Sequence, residues 1–154
     1  MKAWSHIVIH HSLTADSGTV SWGAIRRYHT QTLGWQDIGY HFGVEDVNGH
    51  FEVLLGRPMW MNGAHCRELQ MNQHGIGICF VGNYDLEVPG DKRLEAADHL
   101  MRWLMDFYHI PVENILGHRE VGRLAGFEWT AGEYKSCPGK LFDMDAFRAR
   151  YAEA

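Results

Sequence analysis

The sequence has few cysteines, no long apolar run and no recognisable leader. Three cysteines among 154 residues are an odd number, which argues against the disulfide framework of small secreted domains. No stretch of 18 apolar residues occurs, so we expect no membrane span. Residues 1–5 run directly into a β-branched segment and leave no room for a signal peptide. We therefore expect a chain that is made in the cytosol or trimmed at its N-terminus.

A basic tail and long runs of like charge are also missing. The net charge is −5, from 14 Lys and Arg against 19 Asp and Glu, so the charge pattern gives no support to nucleic-acid binding. Apolar residues make up 45% and charged residues 21% of the chain, which is ordinary for a globular protein. The length fits one domain over residues 1–154, large enough to bury a core without disulfides.

Hydrophobic periodicity predicts strands interleaved with helices. Strands are expected at residues 4–11, 40–45, 51–55, 76–81 and 114–116, with a hairpin turn at residues 46–49. Helices are expected at residues 21–33, 94–108 and 143–151, the first capped by Ser21, stopped by Gly34 and burying Tyr28 and His29. This pattern predicts an α/β fold, a single domain with a central mixed β-sheet flanked by helices.

Three distant positions carry the residue types of a metal site. His10 ends the first predicted strand, His118 follows the strand at 114–116, and Cys137 comes nineteen residues after His118. Two imidazoles and a thiolate are a reasonable ligand set for Zn²⁺ when the fourth position stays open for water. Ligands of α/β sheets bind in the loops at strand ends, which suits a shared site.

Each of these residues also has a purely structural interpretation. His10 and His11 are neighbours on a strand, so only one can face the site while the other packs elsewhere. Cys137 can be a small buried hydrophobe. Its position beside Lys135, with Pro138-Gly139 forming a tight turn, favours instead an exposed and activated thiolate.

Other catalytic signatures are incomplete in this sequence. His118-Arg119-Glu120 matches the H-x-E of zinc deaminases, but the P-C-x-x-C that must accompany it is missing. The HExxH of metalloproteases is absent. Cys66 and Cys79 lack the short paired spacing of a structural zinc knuckle. A Ser-His-Asp triad stays open from the residues alone, although no G-x-S-x-G is present.

Six segments occur together in the order found in one known family. They are HHS at 10–12, WQDIGYHF at 35–42, GAH at 63–65, IGICFVGNY at 76–84, GHRE at 117–120 and KSCPG at 135–139. The set resembles the zinc-dependent N-acetylmuramoyl-L-alanine amidases, a family that includes short phage lysozymes and animal peptidoglycan recognition proteins. The similarity spans roughly residues 5–150. It implies a peptidoglycan recognition protein-like fold with a groove over the metal for the glycan and the stem peptide.

The resemblance also implies roles for individual residues. The Zn²⁺ ligands would be His10, His118 and Cys137, and the catalytic residues would be Tyr40 and Lys135. The candidate substrate contacts are His65, Arg57, Asn83 and Trp129, with a hydrogen-bonded structural role as an equal alternative for His65. Zinc lowers the pKa of bound water to about 7, while a lysine charge and a phenol donor suit the developing oxyanion.

Two segments depart from the family pattern. Residues 121–134 are longer than the matching loop of short phage enzymes, and we expect either a groove wall that stacks aromatic residues on sugars or a packed surface loop. Pro58-Met59 replaces the pair that helps recognition proteins tell diaminopimelate from lysine stems, which leaves the stem preference open.

The resemblance leaves more than one function to weigh. The leading hypothesis is an amidase that cuts between N-acetylmuramic acid and L-alanine in bacterial peptidoglycan. The alternatives are a non-catalytic peptidoglycan-binding module, which commonly lacks the cysteine, and a cytosolic recycling amidase, which usually carries an aspartate instead. The presence of Cys137 therefore favours an endolysin-type enzyme. We expect a monomer that reaches the wall after release or lysis.

Overall fold

A five-stranded mixed β-sheet forms the centre of the molecule. The structure is a computed structural model, and it describes residues 1–16, 21–127 and 136–152. The strands are β1 (His6–His11), β2 (Phe42–Val47), β3 (His50–Leu55), β4 (Gly75–Phe80) and β5 (Ile115–Gly117). Their order is β3-β2-β4-β1-β5, in which β2 and β3 are antiparallel and the other neighbours are parallel. The predicted mixed sheet is confirmed.

Short helices flank this sheet. They are α1 (Trp22–Arg27), α2 (Met71–His74), α3 (Asp91–Glu95), α4 (Asp98–Tyr108), α5 (His118–Leu124) and α6 (Met144–Ala149). A π-helical turn (Tyr28–Thr32) extends α1, and 3₁₀ turns occur at Glu68–Gln70 and Val112–Asn114. Among the described residues, no helix is both long and apolar enough to cross a membrane.

The hairpin of β2 and β3 forms where the sequence predicts it. Asn48 and Gly49 both take positive φ, 54° and 86°, the conformation of a two-residue type I′ turn. The Asp46 carboxylate accepts a hydrogen bond from the Gly49 N–H at 2.8 Å. This turn sets the register that places Phe42 opposite Leu55.

The helix α1 begins as predicted but differs at its end. The Ser21 hydroxyl accepts a hydrogen bond from the Ala24 N–H at 3.3 Å, and Gly34 follows the helical segment with φ of +75°. Tyr28, expected on the buried stripe, is 55% exposed. An α-helix turns about 100° per residue, so Tyr28 lies about 120° around the axis from Trp22, at the edge of the apolar stripe.

Two further helical segments differ from the prediction. The apolar spacing at residues 94–108 predicted one helix, but the chain separates at Ala97 into α3 and α4. Residues 121–134 were expected as a loop, yet their first part belongs to α5, and residues 128–134 lie outside the described part of the chain. Apolar spacing reports which face is buried, and not whether the hydrogen bonding is continuous.

The side chains of β1 alternate between two layers of the core. Ile9 packs in the main core with Met101 of α4. Val8 points to the other face and packs in a second cluster with Val121 of α5. Because successive strand residues point to opposite faces, His10 lies on the same side as α5, the helix that directly follows β5.

The junction between β5 and α5 is fixed by Glu120. Its carboxylate accepts a hydrogen bond from the Gly117 N–H at 2.8 Å and two from the Arg148 guanidinium at 2.7 and 2.9 Å. A Cβ on Gly117 would approach Pro138 Cδ to 2.8 Å, so the close packing of Pro138 requires a glycine at this position. The first residue of α5 is thereby held in place, and that residue is His118.

We expect Glu120→Ala to lower the free energy of unfolding by about 2–3 kcal/mol, because it removes a helix cap and a charge-assisted hydrogen-bonded pair. The control is Asp145→Ala, which removes the other carboxylate partner of Arg148. The Asp145 side chain is 95% exposed, and exposed ion pairs contribute only about 0–1 kcal/mol to stability. Urea denaturation in excess chelator measures both variants without a contribution from bound metal. Equal losses would contradict the capping role.

Candidate metal centre and active site

The tautomer of His10 follows from a chain of hydrogen bonds. His65 Nε2 lies 2.9 Å from the Gly75 carbonyl oxygen, and His65 Nδ1 lies 2.9 Å from His10 Nε2. A carbonyl can only accept, so His65 Nε2 carries the ring proton and Nδ1 accepts one from His10 Nε2. Burial and the neighbouring imidazoles lower the pKa of His10 well below its usual value, so its ring is neutral. The His10 lone pair is therefore on Nδ1.

The same reasoning applies to His118 at the start of α5. Its Nε2 lies 3.1 Å from Glu68 Oε2, and a carboxylate can only accept from it. Burial lowers the pKa of His118, although the Glu68 charge opposes this shift, so the ring is neutral with its proton on Nε2. Nδ1 is then the nitrogen that can ligate a metal.

The Cys137 thiol completes the group. Its Sγ lies 3.6 Å from His10 Nδ1, and ligand atoms of His10, His118 and Cys137 all lie within 4.8 Å of one another. Tetrahedral Zn–N and Zn–S bonds of about 2.1 and 2.3 Å would separate nitrogen and sulfur by about 3.6 Å. The donor set and its spacing therefore fit a tetrahedral Zn²⁺ with one position open.

The expectation of an exposed, activated Cys137 thiolate is wrong. The residue is 6% exposed, and burial raises the pKa of its thiol to about 12, against a hydrogen bond from the His11 backbone N–H that lowers it. The side chain points towards His10, with its Sγ 3.6 Å from His10 Nδ1, rather than out to solvent. Deprotonation must then come from a bound cation, since metal binding to a thiol releases its proton.

His11 points to the other side of β1, as strand alternation predicts. Its Nδ1 accepts a hydrogen bond from the Tyr84 N–H at 3.2 Å, and its ring stacks on the Tyr84 ring at 6.1 Å. Burial lowers the pKa of His11 to about 4. This histidine is neutral at pH 7 and braces the turn after β4.

Arg119 joins the Cys137 segment to α5. Its backbone N–H donates to the Cys137 carbonyl at 2.7 Å. Its guanidinium donates to three further carbonyls, those of Ser136, Gly139 and Phe142. In the GHRE segment, His118 is therefore a candidate ligand, and its neighbour Arg119 holds the segment that carries the candidate ligand Cys137.

The Cys137 segment is also held from the side of β4. Asp85 accepts hydrogen bonds from the Ser136 hydroxyl at 3.0 Å and from the Lys140 N–H at 2.8 Å. Gly139 has φ of +124° and lies so close to Tyr84 that a Cβ would meet its backbone at 2.5 Å. The segments GNY and KSCPG, distant in sequence, are therefore packed directly on each other.

Tyr40 lies beside the metal-binding group. Its ring centroid is 5.2 Å from that of His10. Burial, together with Cys79 and Cys137, raises the pKa of Tyr40 well above its usual value. The phenol therefore stays protonated at neutral pH and can donate a hydrogen bond. Sequence reasoning missed Cys79, although its place opposite His10 in the β1–β4 register follows from the strand pairing.

The metal-binding group forms the floor of an open cleft of about 690 Å³. Its walls are mostly apolar or aromatic: Leu13, Tyr28, His29, Leu33, Trp35 and Tyr40. A second cleft of about 480 Å³ shares His65 and His118 and continues past Glu68. Tyr28 and Trp35 were not predicted as site residues, because their pattern also suits a helix face and a packed loop.

Four predicted substrate contacts have different places in the structure. His65 lines the cleft, but both its nitrogens are used in hydrogen bonds. Arg57 is buried and donates to the Ile38 and Asn62 carbonyls at 2.9 Å. Asn83 accepts from the Asp85 N–H in a turn, and neither Arg57 nor Asn83 is among the described residues that line the two clefts. Trp129 and the catalytic candidate Lys135 lie outside the described residues.

The fold and the site define a mixed α/β domain in which His10 of β1, His118 after β5 and Cys137 form a group that could hold a metal ion. A family model described as N-acetylmuramoyl-L-alanine amidase matches residues 1–140. The chain belongs to this family, which confirms the resemblance seen in the six sequence segments.

Relatives include enzymes and recognition proteins. The chain is 35% identical over 124 residues to an N-acetylmuramoyl-L-alanine amidase of Sus scrofa, covering 79% of this chain and 18% of the relative. It is 30% identical over 123 residues to peptidoglycan-recognition protein LB of Drosophila melanogaster, covering 75% of this chain and 51% of the relative. The solved endolysin amidase LysCS of Clostridium intestinale superposes with a TM-score of 0.75 at 25% identity, covering 97% of this chain and 84% of that one. The chain thus spans about half of the recognition protein's length and under a fifth of the pig protein's.

We expect His10→Ala and Cys137→Ser to lose tightly bound zinc, because each removes one of three ligands. The matched control is His11→Ala, which removes the neighbouring imidazole on the other face of β1 and should keep the metal. Its stability should fall by about 1–2 kcal/mol through the lost hydrogen bond and packing. Elemental analysis and melting temperature measure the two effects. A zinc-free His11→Ala beside a zinc-loaded His10→Ala would move the ligand to the other histidine.

Proposed function

We propose that this domain is a zinc-dependent amidase that hydrolyses the bond between N-acetylmuramic acid and L-alanine in peptidoglycan. The observation that carries this proposal is the buried group of His10, His118 and Cys137 at the floor of an open cleft. A module that only binds peptidoglycan has no chemical need for a buried thiol aimed between two imidazole nitrogens. The amide and the glycan are inferred from the family to which the chain belongs.

The ligand residues suit a metal that activates water. A bound Zn²⁺ would lower the pKa of water to about 7 and polarise the scissile carbonyl. The chain contributes two imidazoles that burial keeps neutral, so their lone pairs are available at the pH of catalysis. Hydrogen bonds at Nε2 hold both rings, so Nδ1 is the nitrogen that would bind the ion.

Tyr40 and Lys135 are the proposed polar groups around the reacting amide. Tyr40 is a protonated phenol next to His10, which suits donation to the developing oxyanion or to the leaving nitrogen. Lys135 directly precedes Ser136, which the structure ties to Asp85. The role of Lys135 is carried over from the family through the KSCPG segment, and its charge would suit the developing oxyanion.

The cleft suits a ligand with a sugar ring and a short peptide. Tyr28 and Trp35 give the cleft exposed aromatic faces, which offer large apolar contact areas at little entropic cost. In this proposal the substrate is the bacterial wall, reached after release or lysis of the cell that makes the protein. A monomer is sufficient for this chemistry, because the three ligands come from one chain.

Digestion of purified sacculi tests the reaction. We expect new L-alanine amino termini and intact glycan strands, with activity lost in chelator and restored by Zn²⁺. Cys137→Ser is the matched inactive control. New reducing sugars would indicate a glycosidase instead. Zinc-loaded protein that binds sacculi without releasing any ends would indicate a recognition module.

Substitutions at Tyr40 and Lys135 separate chemistry from folding. We expect Tyr40→Phe and Lys135→Ala to keep zinc but to lose about 10²–10³-fold in kcat, which is the usual cost of removing one oxyanion donor, about 3–4 kcal/mol. The controls are Tyr108→Phe, on α4, and Lys140→Ala, which keeps the backbone N–H that donates to Asp85. Wild-type turnover in Tyr40→Phe or Lys135→Ala would remove that residue from the proposed mechanism.

A further inference from the structure

The Glu68 carboxylate reaches the outer side of the metal centre. We propose that Glu68 is a positioning residue, which accepts the His118 Nε2–H and thereby fixes the ring with Nδ1 towards the metal. The inference rests on the proposed zinc function and concerns a residue outside the three ligands. A carboxylate behind a ligating imidazole sets its tautomer and orientation and raises its basicity.

Two donors converge on the same oxygen of Glu68. Its Oε2 lies 3.1 Å from His118 Nε2 and 3.4 Å from Cys66 Sγ. Burial raises the pKa of the Cys66 thiol, so this sulfur is protonated and donates to the carboxylate. Two donors at one oxygen stabilise Glu68 in its charged carboxylate form.

The backbone around Glu68 is held in an uncommon conformation. Leu69 and Gln70 follow it with φ of 51° and 59°, values that residues with a side chain rarely adopt. On the other side, the Asn72 amide oxygen accepts from the N–H groups of His65 and Cys66 at 2.7 and 2.8 Å. The Asn72 hydrogen bonds close this segment into a tight loop that points the carboxylate at His118.

The two metal-ligating histidines are oriented by different chemistry. His10 donates to His65, which passes the hydrogen bond on to the neutral Gly75 carbonyl. His118 donates instead to a negative charge. A cation on Nδ1 interacts favourably with that charge through the ring. Removing Glu68 should therefore weaken zinc binding through both orientation and charge.

Ligand atoms of Cys66, Glu68 and His118 also lie within 4.8 Å of one another, which is the spacing of a possible second metal site. Two protons oppose this interpretation, since His118 Nε2 and Cys66 Sγ both donate to Glu68. A second ion would have to displace both protons while the first stays on the same imidazole. The arrangement is more stable as the outer hydrogen-bond support of one metal ion.

Competition with a chromophoric chelator, followed by elemental analysis, tests the role of Glu68. We expect the zinc Kd to rise about 10–100-fold in Glu68→Ala, and by a smaller, measurable factor in Glu68→Gln, whose amide oxygen can still accept the His118 proton. The absorption bands of the Co²⁺-substituted protein should change in Glu68→Ala and should be restored towards wild type in Glu68→Gln. The control is Glu45→Gln, which neutralises another buried carboxylate. Glu45 accepts a hydrogen bond from the Trp22 N–H at 2.8 Å. The zinc Kd of this variant should stay at the wild-type value.

The outcomes separate this inference from the proposed function. An unchanged Kd in Glu68→Gln and in folded Glu68→Ala would overturn the positioning role and leave the amidase proposal intact. If Glu68→Ala does not fold, an unchanged Kd in Glu68→Gln alone overturns it. Wild-type protein without zinc would overturn the proposed function itself. Two zinc ions per wild-type chain, falling to one in Glu68→Ala, would overturn the positioning role in favour of a second metal site.

Discussion

The hydrogen bonds from Arg119 to the Cys137 segment are the constraint on which the metal centre depends. Cys137 is nineteen residues from His118 along the chain, and loop closure over that distance is entropically costly. The Arg119 N–H binds the Cys137 carbonyl directly, and its guanidinium binds carbonyls on both sides of it. Arg119 directly follows His118 in α5. By binding the Cys137 segment, Arg119 brings two proposed ligands together that are far apart in sequence, and Glu120 anchors the start of that helix.

Burial also keeps the side chains of the candidate metal centre uncharged before a cation binds. Burial lowers the pKa of His10 and of His118 and raises the pKa of Cys137 and of Tyr40. Each shift favours the neutral form, because a low dielectric penalises the charged one. If a divalent ion binds here as proposed, the thiol must give up its proton, so binding would be coupled to proton release. The Glu68 carboxylate lies directly behind His118, one of the proposed ligands.

Local signals explain most of what the sequence could predict. The Asn48-Gly49 turn, the Ser21 cap and the alternation of His10 and His11 depend on neighbouring residues, so the pattern alone predicts them. Several features that depend on distant contacts were missed or wrong. Cys137 is buried because Arg119 and Asp85 hold its segment against the protein through hydrogen bonds. Glu68 lies in a stretch without hydrophobic periodicity, and the conformation of that stretch is fixed by hydrogen bonds to Asn72. The sequence shows the residue types of these contacts without showing which of them meet.

The six sequence segments that mark the family bind mainly to one another. Ser12 accepts from the Gly82 N–H, Gly139 packs on Tyr84, and Arg119 binds the Cys137 segment. Such contacts hold the groove together whether or not the site is catalytic, which explains how one fold can serve amidases and recognition proteins alike. The atoms that would distinguish an enzyme are few, chiefly the Cys137 sulfur and the Tyr40 hydroxyl. Arg119 holds this segment through the backbone carbonyls of Cys137 and Ser136 and not through the sulfur, so catalysis can change at such an atom while the scaffold and its groove persist.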